Sequence, residues 1–288
     1  MSDHQPLRHD GCESPDGGRS MLRDLRERFG AVEPPNVSEN ETLRLQLHHR
    51  SVRRFLPEQI DDGALDLILM AAQAASHSSN LQAWSVVVVR DEGRRRRISE
   101  AIGGMRFIQE ASVLLVWVAD LVRAERLLER QGQDMETVRY LEGALVPFVD
   151  IGIAAQSALL AAESLGLGGV FIGAVRNDPV SIVDELELPR LTFPVLGMAL
   201  GVPDPDEAAG VKPRLSPSAV VHRERYSTDA VSDGVDEYES RLAGYYENYG
   251  VRDYSWARRI ADRLGPRAGL KGRHRLREWL MQQGFPGE

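Results

Sequence analysis

Apolar residues recur at two spacings along this chain, and the spacings predict two kinds of element. In residues 61–75, Ala64, Leu65, Ile68, Leu69 and Ala72 fall at three- and four-residue steps, the period of one helix face. The runs SVVVV (85–89) and VLLVWVA (113–119) are short, continuous and β-branched, which predicts buried strands. A long apolar helix is expected over 147–165, a third strand at GGVFIGAV (168–175) and a fourth at PVLGMALGVP (194–203). Between the last two, Pro179 opens a short helix, because its fixed φ suits a first turn. AVVHRERY (219–226) has the composition of a fifth strand, and the tail beyond residue 233 reads as three helices. Ser38, followed three residues later by Glu41, has the form of a capping box.

Helices and strands interleave without strict βαβ repeats, so the fold class is α+β, with one central sheet covered by helices. Residues 1–37 read as an N-terminal extension, disordered around ESPDGG, with MLRDLRERF (21–29) as a short helix. Residues 38–288 read as the folded domain, including a C-terminal helical segment.

Composition narrows the function. The chain has 288 residues, 42% hydrophobic and 27% charged, enough for a sizeable core. A formal net charge of −8 argues against a nucleic-acid partner. Cys12 is the single cysteine, which excludes a disulfide framework and a cysteine metal cluster and fits a reducing, cytoplasmic setting. No secretion signal is visible. The apolar region 146–172 is interrupted by Asp150, Gln156 and Glu163, so no membrane span is expected.

The chemical candidates are few. GLGGVFIG (166–173) has the glycines of a dinucleotide loop, but a helix precedes it, a strand follows, and Phe171 stands at the sixth position. A helix cap at Gly166 and close backbone approach at Gly173 explain it better. His48 and His49 are adjacent, so their side chains diverge and no shared metal is expected. ASHSSNLQAW (75–84) lacks a nucleophile elbow and reads as a loop, with its hydroxyls and amides able to form a shelf for a ligand. EGRRRRIS (92–99) reads as a solvated helix face. In VKPRL, Lys212 and Arg214 point the same way if the segment is extended. In HHRSVRRF (48–55), Arg50 and Arg53 share a face on one helical turn, close to Ser51. Two cation pairs in an acidic chain fit either one phosphate-bearing ligand or a surface salt-bridge network.

HHRSVRRF, SHSSNLQAW, AAESLGLGGVFIGAVRND, LGMALGVP and KPRL, in this order, resemble the nitroreductase family, in particular its oxygen-insensitive NADPH nitroreductases and NADPH-flavin oxidoreductases. The resemblance spans residues 48–226 and, more loosely, the tail. It implies a mostly antiparallel α+β sandwich in a strand-exchanged homodimer, with FMN at the interface and NADPH, or NADH, as donor. By the same resemblance His49, Arg50 and Ser51 contact the FMN phosphate and ribityl chain, and Arg53 sits by the polar edge of the ring. Ser78, Ser79 and Asn80 come from the partner subunit, with Gln82 structural. Ile172 and Gly173 line the ring, with the Gly173 N–H facing N5, while Lys212 and Arg214 complete the anion clamp. Arg176 fits the pattern either as a site residue or as a structural one, and Arg252 is the match for NADPH 2′-phosphate recognition. Met105 stands where the group often has glutamine, Ala174 where a second glycine is frequent, and His77 where serine is usual. The implied activity is ping-pong hydride transfer through FMN to nitroaromatics, quinones or related small acceptors. Supply of reduced FMN to a monooxygenase is the related alternative, and a non-catalytic flavin store or sensor the alternative from another class.

Overall fold

A computed structural model describes residues 17–30, 32 and 40–285. Helices α1 (Gly17–Phe29), α2 (Glu41–His48) and α3 (Asp62–Gln73) precede strand β1 (Trp84–Val89). Then come α4 (Glu92–Ala101), α5 (Arg106–Glu110), β2 (Val113–Asp120), α6 (Val122–Arg130), α7 (Glu142–Ser164) and β3 (Gly168–Ile172). The chain continues through α8 (Pro179–Glu185), β4 (Thr192–Gly201), α9 (Pro217–Val220), α10 (Thr228–Asn248), α11 (Trp256–Leu264) and α12 (Leu276–Gln282). Two compact units divide these elements: one falls within Met1–His49 and Val211–Ser255, the other within Arg50–Gly210 and Trp256–Glu288.

The second unit holds the sheet, which is antiparallel throughout in the order β1-β2-β4-β3. Every residue of β2 is buried because helices cover both faces. Val113, Leu115, Trp117 and Ala119 pack with α3, α7 and α12, while Leu114, Val116 and Val118 pack with α4, α5 and α8. Enclosing Phe193 or Leu115 fully contributes about 2–3 kcal/mol each. β1 lies at the sheet edge and is buried only at its ends, so it is a half-exposed strand rather than the buried one its composition suggested. In β4, Pro194 lacks a ladder donor, and the register slips by one residue opposite Trp117 and Val118, leaving Val195 as a bulge.

Local rules account for most element ends. Asp61 caps α3 by accepting from Gly63 and Ala64 N–H, and Asp178 caps α8 ahead of Pro179. α7 starts at Glu142, well before the expected Pro147, which sits inside the helix. By length and composition α7 is apolar enough to cross a bilayer. Its stripe Ala144, Ala154, Ala155, Ala158 and Ala162 is instead buried in the core, together with Asp150. Past α7 the chain turns through Gly166 at φ 78°, with Gly166 N–H on Glu163 O and Leu167 N–H on Ala162 O. This Schellman closure is the cap expected at Gly166.

Other expectations change. The strand after Gly168 stops at Ile172, and residues Gly173–Arg176 form a 3₁₀ turn. Residues 219–226 form no strand in this chain: Pro217 begins one short helical turn, and the rest is irregular and exposed. The N-terminal cap of α2 is Asn40, which accepts from Leu43 N–H at 2.9 Å, whereas Ser38 lies outside the described residues. Most of ESPDGG also lies outside them. α4 is not wholly solvated. Arg95 is buried and donates to Arg90 O and Gln109 O, while Arg94 and Arg97 grip Glu185.

The first unit is helical. α1 packs beside α2, and α10 beside α9. Met21, Tyr238 and Leu242 are buried. The segment 21–29 is therefore helical as expected, with Met21 and Arg28 packed rather than solvated.

Candidate functional site

In the second unit, residues 50–55 are extended rather than helical. Ser51 bridges Gly169 in parallel, Val52 N–H donates to Gly169 O at 3.0 Å, and Phe55 bridges Pro203. The shared helical face expected for Arg50 and Arg53 does not exist, because Val52 and Phe55 are anchors buried against the end of the sheet. Glu207 joins the two residues instead. It accepts Arg50 Nη1 at 2.6 Å and the Arg53 backbone N–H at 2.8 Å. Arg54 pairs with Asp204 at 2.7 Å. The Arg53 side chain is exposed and has no carboxylate partner among the described residues. Arg53, Arg54, Phe55, Arg106, Phe107 and Glu110 line a surface pocket of about 500 Å³.

The loop before β1 is strained. Ser79, Asn80 and Gln82 have φ of 46°, 53° and 49°, left-handed values that cost non-glycine residues roughly 1 kcal/mol or more each. A buried acid holds it: both carboxylate oxygens of Asp150 on α7 accept the Ser78 N–H. Asn80 Oδ1 accepts from Gln82 Nε2 at 3.3 Å, and Gln82 O accepts from Arg123 at 2.7 Å, which suits the structural part expected of Gln82. His77 stacks on Trp84 with ring centroids 5.9 Å apart. The hydroxyls of Ser78 and Ser79 remain at an exposed turn.

At the end of β3 Ile172 is buried in the core, and the half-buried Gly173 that follows presents no side chain. A Cβ on Gly173 would stand 3.3 Å from Arg176 Nη2. Arg176 donates to the bulge carbonyl of Val195. Burial, then the nearby Arg263 guanidinium, lowers the Arg176 pKa. Burial, then Arg176 and Arg263, lowers that of Arg273. Met105 caps α5 without a side-chain bond, and its carbonyl accepts from Ser99 Oγ at 2.8 Å.

In the first unit, Lys212 and Arg214 carry charge without a carboxylate partner among the described residues. Lys212 Nζ lies 3.0 Å from Tyr246 Oη, and 5.8 and 5.1 Å from the ring centroids of Tyr245 and Tyr246. Arg214 is exposed and folds onto its own backbone, with Nη1 3.2 Å from Lys212 O and Pro213 O. Burial raises the pKa of Tyr238, which the charges of Arg214 and Arg241 partly oppose. His49 is the C-cap of α2, and Arg252 is exposed in the turn after α10. Among the described residues no group of three or more histidine, cysteine, aspartate or glutamate side chains has metal-binding geometry.

In the second unit the Arg53 guanidinium, the hydroxyl turn and the bare Gly173 suit a polar, anionic ligand; in the first, Lys212 and Arg214 offer charge to an anion. Asp150 and Glu207, which fix two of these segments, went unassigned in the sequence. Asp150 left one signal, a charge interrupting an apolar helix.

The sequence matches the Nitroreductase family over residues 47–202 and the Nitroreductase family, C-terminal domain, over 212–288. α1 lies ahead of both matched regions. A Bacillus subtilis FMN reductase (NAD(P)H) is 38% identical over 253 residues, covering 86% of this chain and 99% of the relative. The solved structure of a hypothetical oxidoreductase from Bacillus subtilis is 37% identical, with TM-score 0.82, covering 87% of this chain and all (100%) of the other. The NADPH:FMN oxidoreductase from Vibrio harveyi complexed with NAD+ is 32% identical, with TM-score 0.75, over 86% of this chain and 100% of its own. These matches show that the chain belongs to the nitroreductase family.

Proposed function

We propose that this chain is an FMN-dependent NAD(P)H oxidoreductase that reduces small acceptors such as nitroaromatics or quinones. One observation carries the reading. Arg50, Arg54, Arg94 and Arg97 are each paired with an acid, whereas Arg53, Lys212 and Arg214 have none among the described residues. Cations held without acids favour an anionic ligand. The relatives named FMN reductase and NADPH:FMN oxidoreductase supply its identity.

FMN, once bound, would supply the redox chemistry between nicotinamide and acceptor. The protein binds and orients. Lys212 and Arg214 offer positive charge to the phosphate, alongside His49, Arg50 and the Ser51 hydroxyl. Ser78, Ser79 and Asn80 add hydroxyl and amide contacts. Gly173 brings a bare backbone N–H to the ring, and Ile172 adds backbone beside it. Arg53 or Lys212 opposes the negative charge of the reduced ring at its polar edge. Met105 adds no amide donor there. Arg252 offers a guanidinium to the 2′-phosphate of NADPH, with NADH a weaker donor.

A homodimer suits the surface. On α7, Leu145, Val149 and Ile153 repeat every four residues and are 47%, 59% and 41% exposed. On α3, which packs against α7, Leu67 and Met70 are 58% and 60% exposed. These exposed apolar side chains on two packed helices fit a second copy, and the Ser78–Asn80 loop would then reach the partner's cofactor. The segment 219–226, exposed apart from Ala219 and His222, is the piece available for exchange to an open sheet edge. The single cysteine, Cys12, supports a cytoplasmic setting.

Names of relatives also favour a second acceptor, free FMN, which makes the chain a flavin reductase. Steady-state NADPH oxidation with and without added FMN separates the two. Release of FMN from denatured pure protein tests the cofactor, and colourless protein that takes up no FMN contradicts it.

A further inference from the structure

α1 is absent from the family-matched region, yet it reaches the two chain segments of the first unit that hold His49 and Arg214. Arg28 touches both segments. Arg28 is 6% exposed, and its Nη1 donates to Leu47 O at 2.8 Å and His49 O at 2.9 Å. These are carbonyls at the C-terminal end of α2, where a cation satisfies unpaired acceptors and opposes the helix dipole. The carbonyl of the same residue accepts the Arg214 N–H at 2.6 Å. Arg241 completes the bracket: its Nη2 donates to Arg214 O at 2.7 Å and its Nη1 to Arg28 O at 3.4 Å. One helical turn before Arg28, Asp24 meets His48 Nε2 at 3.3 Å.

His49 and Arg214 are distant in sequence and both lie in irregular backbone. Left free, each would lose conformational entropy when a phosphate ordered it. Arg28 ties the main chain of one with its side chain and the main chain of the other with its carbonyl, before any ligand arrives. We propose that Arg28 is a positioning residue for the cofactor phosphate, and that α1 is a brace this chain adds to pre-order His49 and Arg214. The inference rests on the FMN reading above. Arg28 touches no ligand in this account; it acts through the two residues that do.

Riboflavin, which is FMN without the phosphate, makes the test. Full-length wild type, Arg28→Lys and Arg28→Gln are stripped of flavin and titrated with FMN and with riboflavin, following flavin fluorescence. Thermal melts of the stripped proteins run in parallel. Arg28→Gln is expected to weaken FMN by about tenfold or more while riboflavin stays within about twofold, with Arg28→Lys intermediate. Equal weakening of both flavins marks general damage and overturns the proposal, as does unchanged FMN affinity. If Arg28→Gln does not fold, Arg28→Lys decides by the same FMN-to-riboflavin ratio. A wild type that binds neither flavin overturns the cofactor reading, and this proposal with it. A wild type that binds FMN and riboflavin equally well overturns this proposal alone.

Discussion

Asp150, 1% exposed on α7, accepts the backbone N–H of Ser78 through both carboxylate oxygens, at 3.0 and 3.2 Å. A buried charge in an apolar helix is costly unless it is hydrogen-bonded. Here the bond holds a turn whose next residues, Ser79 and Asn80, sit in left-handed conformations. The strain persists because the anchor over-determines it. The position of the Ser78 and Ser79 hydroxyls thus depends on a side chain far away in sequence.

Asp150→Asn keeps the size of the side chain but removes the charge and turns one acceptor into a donor. The expected cost is about 1–3 kcal/mol of stability, read from urea unfolding, with weaker FMN binding in titration. Asp150→Ala should cost at least as much. Unchanged flavin affinity in both variants contradicts the anchoring of the turn.

Arg214→Ala removes a cation that has no acid partner among the described residues. It should purify with much less flavin, reflecting loss of a charge-assisted contact of roughly 1.5–3 kcal/mol. The exposed side chain leaves the fold intact, so the melting temperature should barely move. Normal flavin content in this variant refutes the clamp.

Much of this was readable in the sequence, and the misreadings have physical causes. The face of α3 followed from its periodicity, and the two central strands from their continuous apolar runs, because β2 and β4 are buried on both faces. HHRSVRRF was placed on a helical turn because i, i+3 spacing was the only local cue. The true constraint is long-range: Ser51 pairs with Gly169, and Glu207 holds Arg50. In RRRR, Arg95 turned inward because Arg90 O and Gln109 O need a donor, a demand invisible from charge patterning. The β-branched run at 219–226 lacked a neighbouring strand in its own chain, and propensity without a partner does not make a strand.

Val149→Asp places a charge in the exposed stripe of α7. The monomer should fold normally, since Val149 is 59% exposed, but association should fail. Sedimentation velocity is expected to show monomer, with flavin lost in step. A stable dimer in this variant contradicts the proposed interface.

Arg252→Ala should raise KM for NADPH by about tenfold and leave NADH unchanged, as expected for one lost phosphate contact. Equal effects on both donors contradict 2′-phosphate recognition.

Glu185 clamps α8 to α4 through Arg97 at 2.8 Å and Arg94 at 3.0 Å. The Arg97 hydrogen bond leads in holding its carboxyl below the ordinary 4.5. A depressed carboxyl stabilises the fold fully above its unfolded value and loses that contribution as pH falls through the folded value. Glu185→Gln should therefore melt slightly lower than wild type at pH near 7, with the difference closing below about pH 4. A gap that persists into strong acid contradicts the ion-pair assignment.

The central claim is that this chain moves hydride from a nicotinamide to bound FMN. The direct measurement is anaerobic titration of the purified yellow protein with NADPH, and separately NADH, followed by a panel of oxidants. The account predicts stoichiometric bleaching of the flavin absorbance by NADPH and recovery of the colour when a quinone or nitroaromatic is added. A yellow protein that neither donor bleaches would contradict it and leave a flavin-binding protein without turnover.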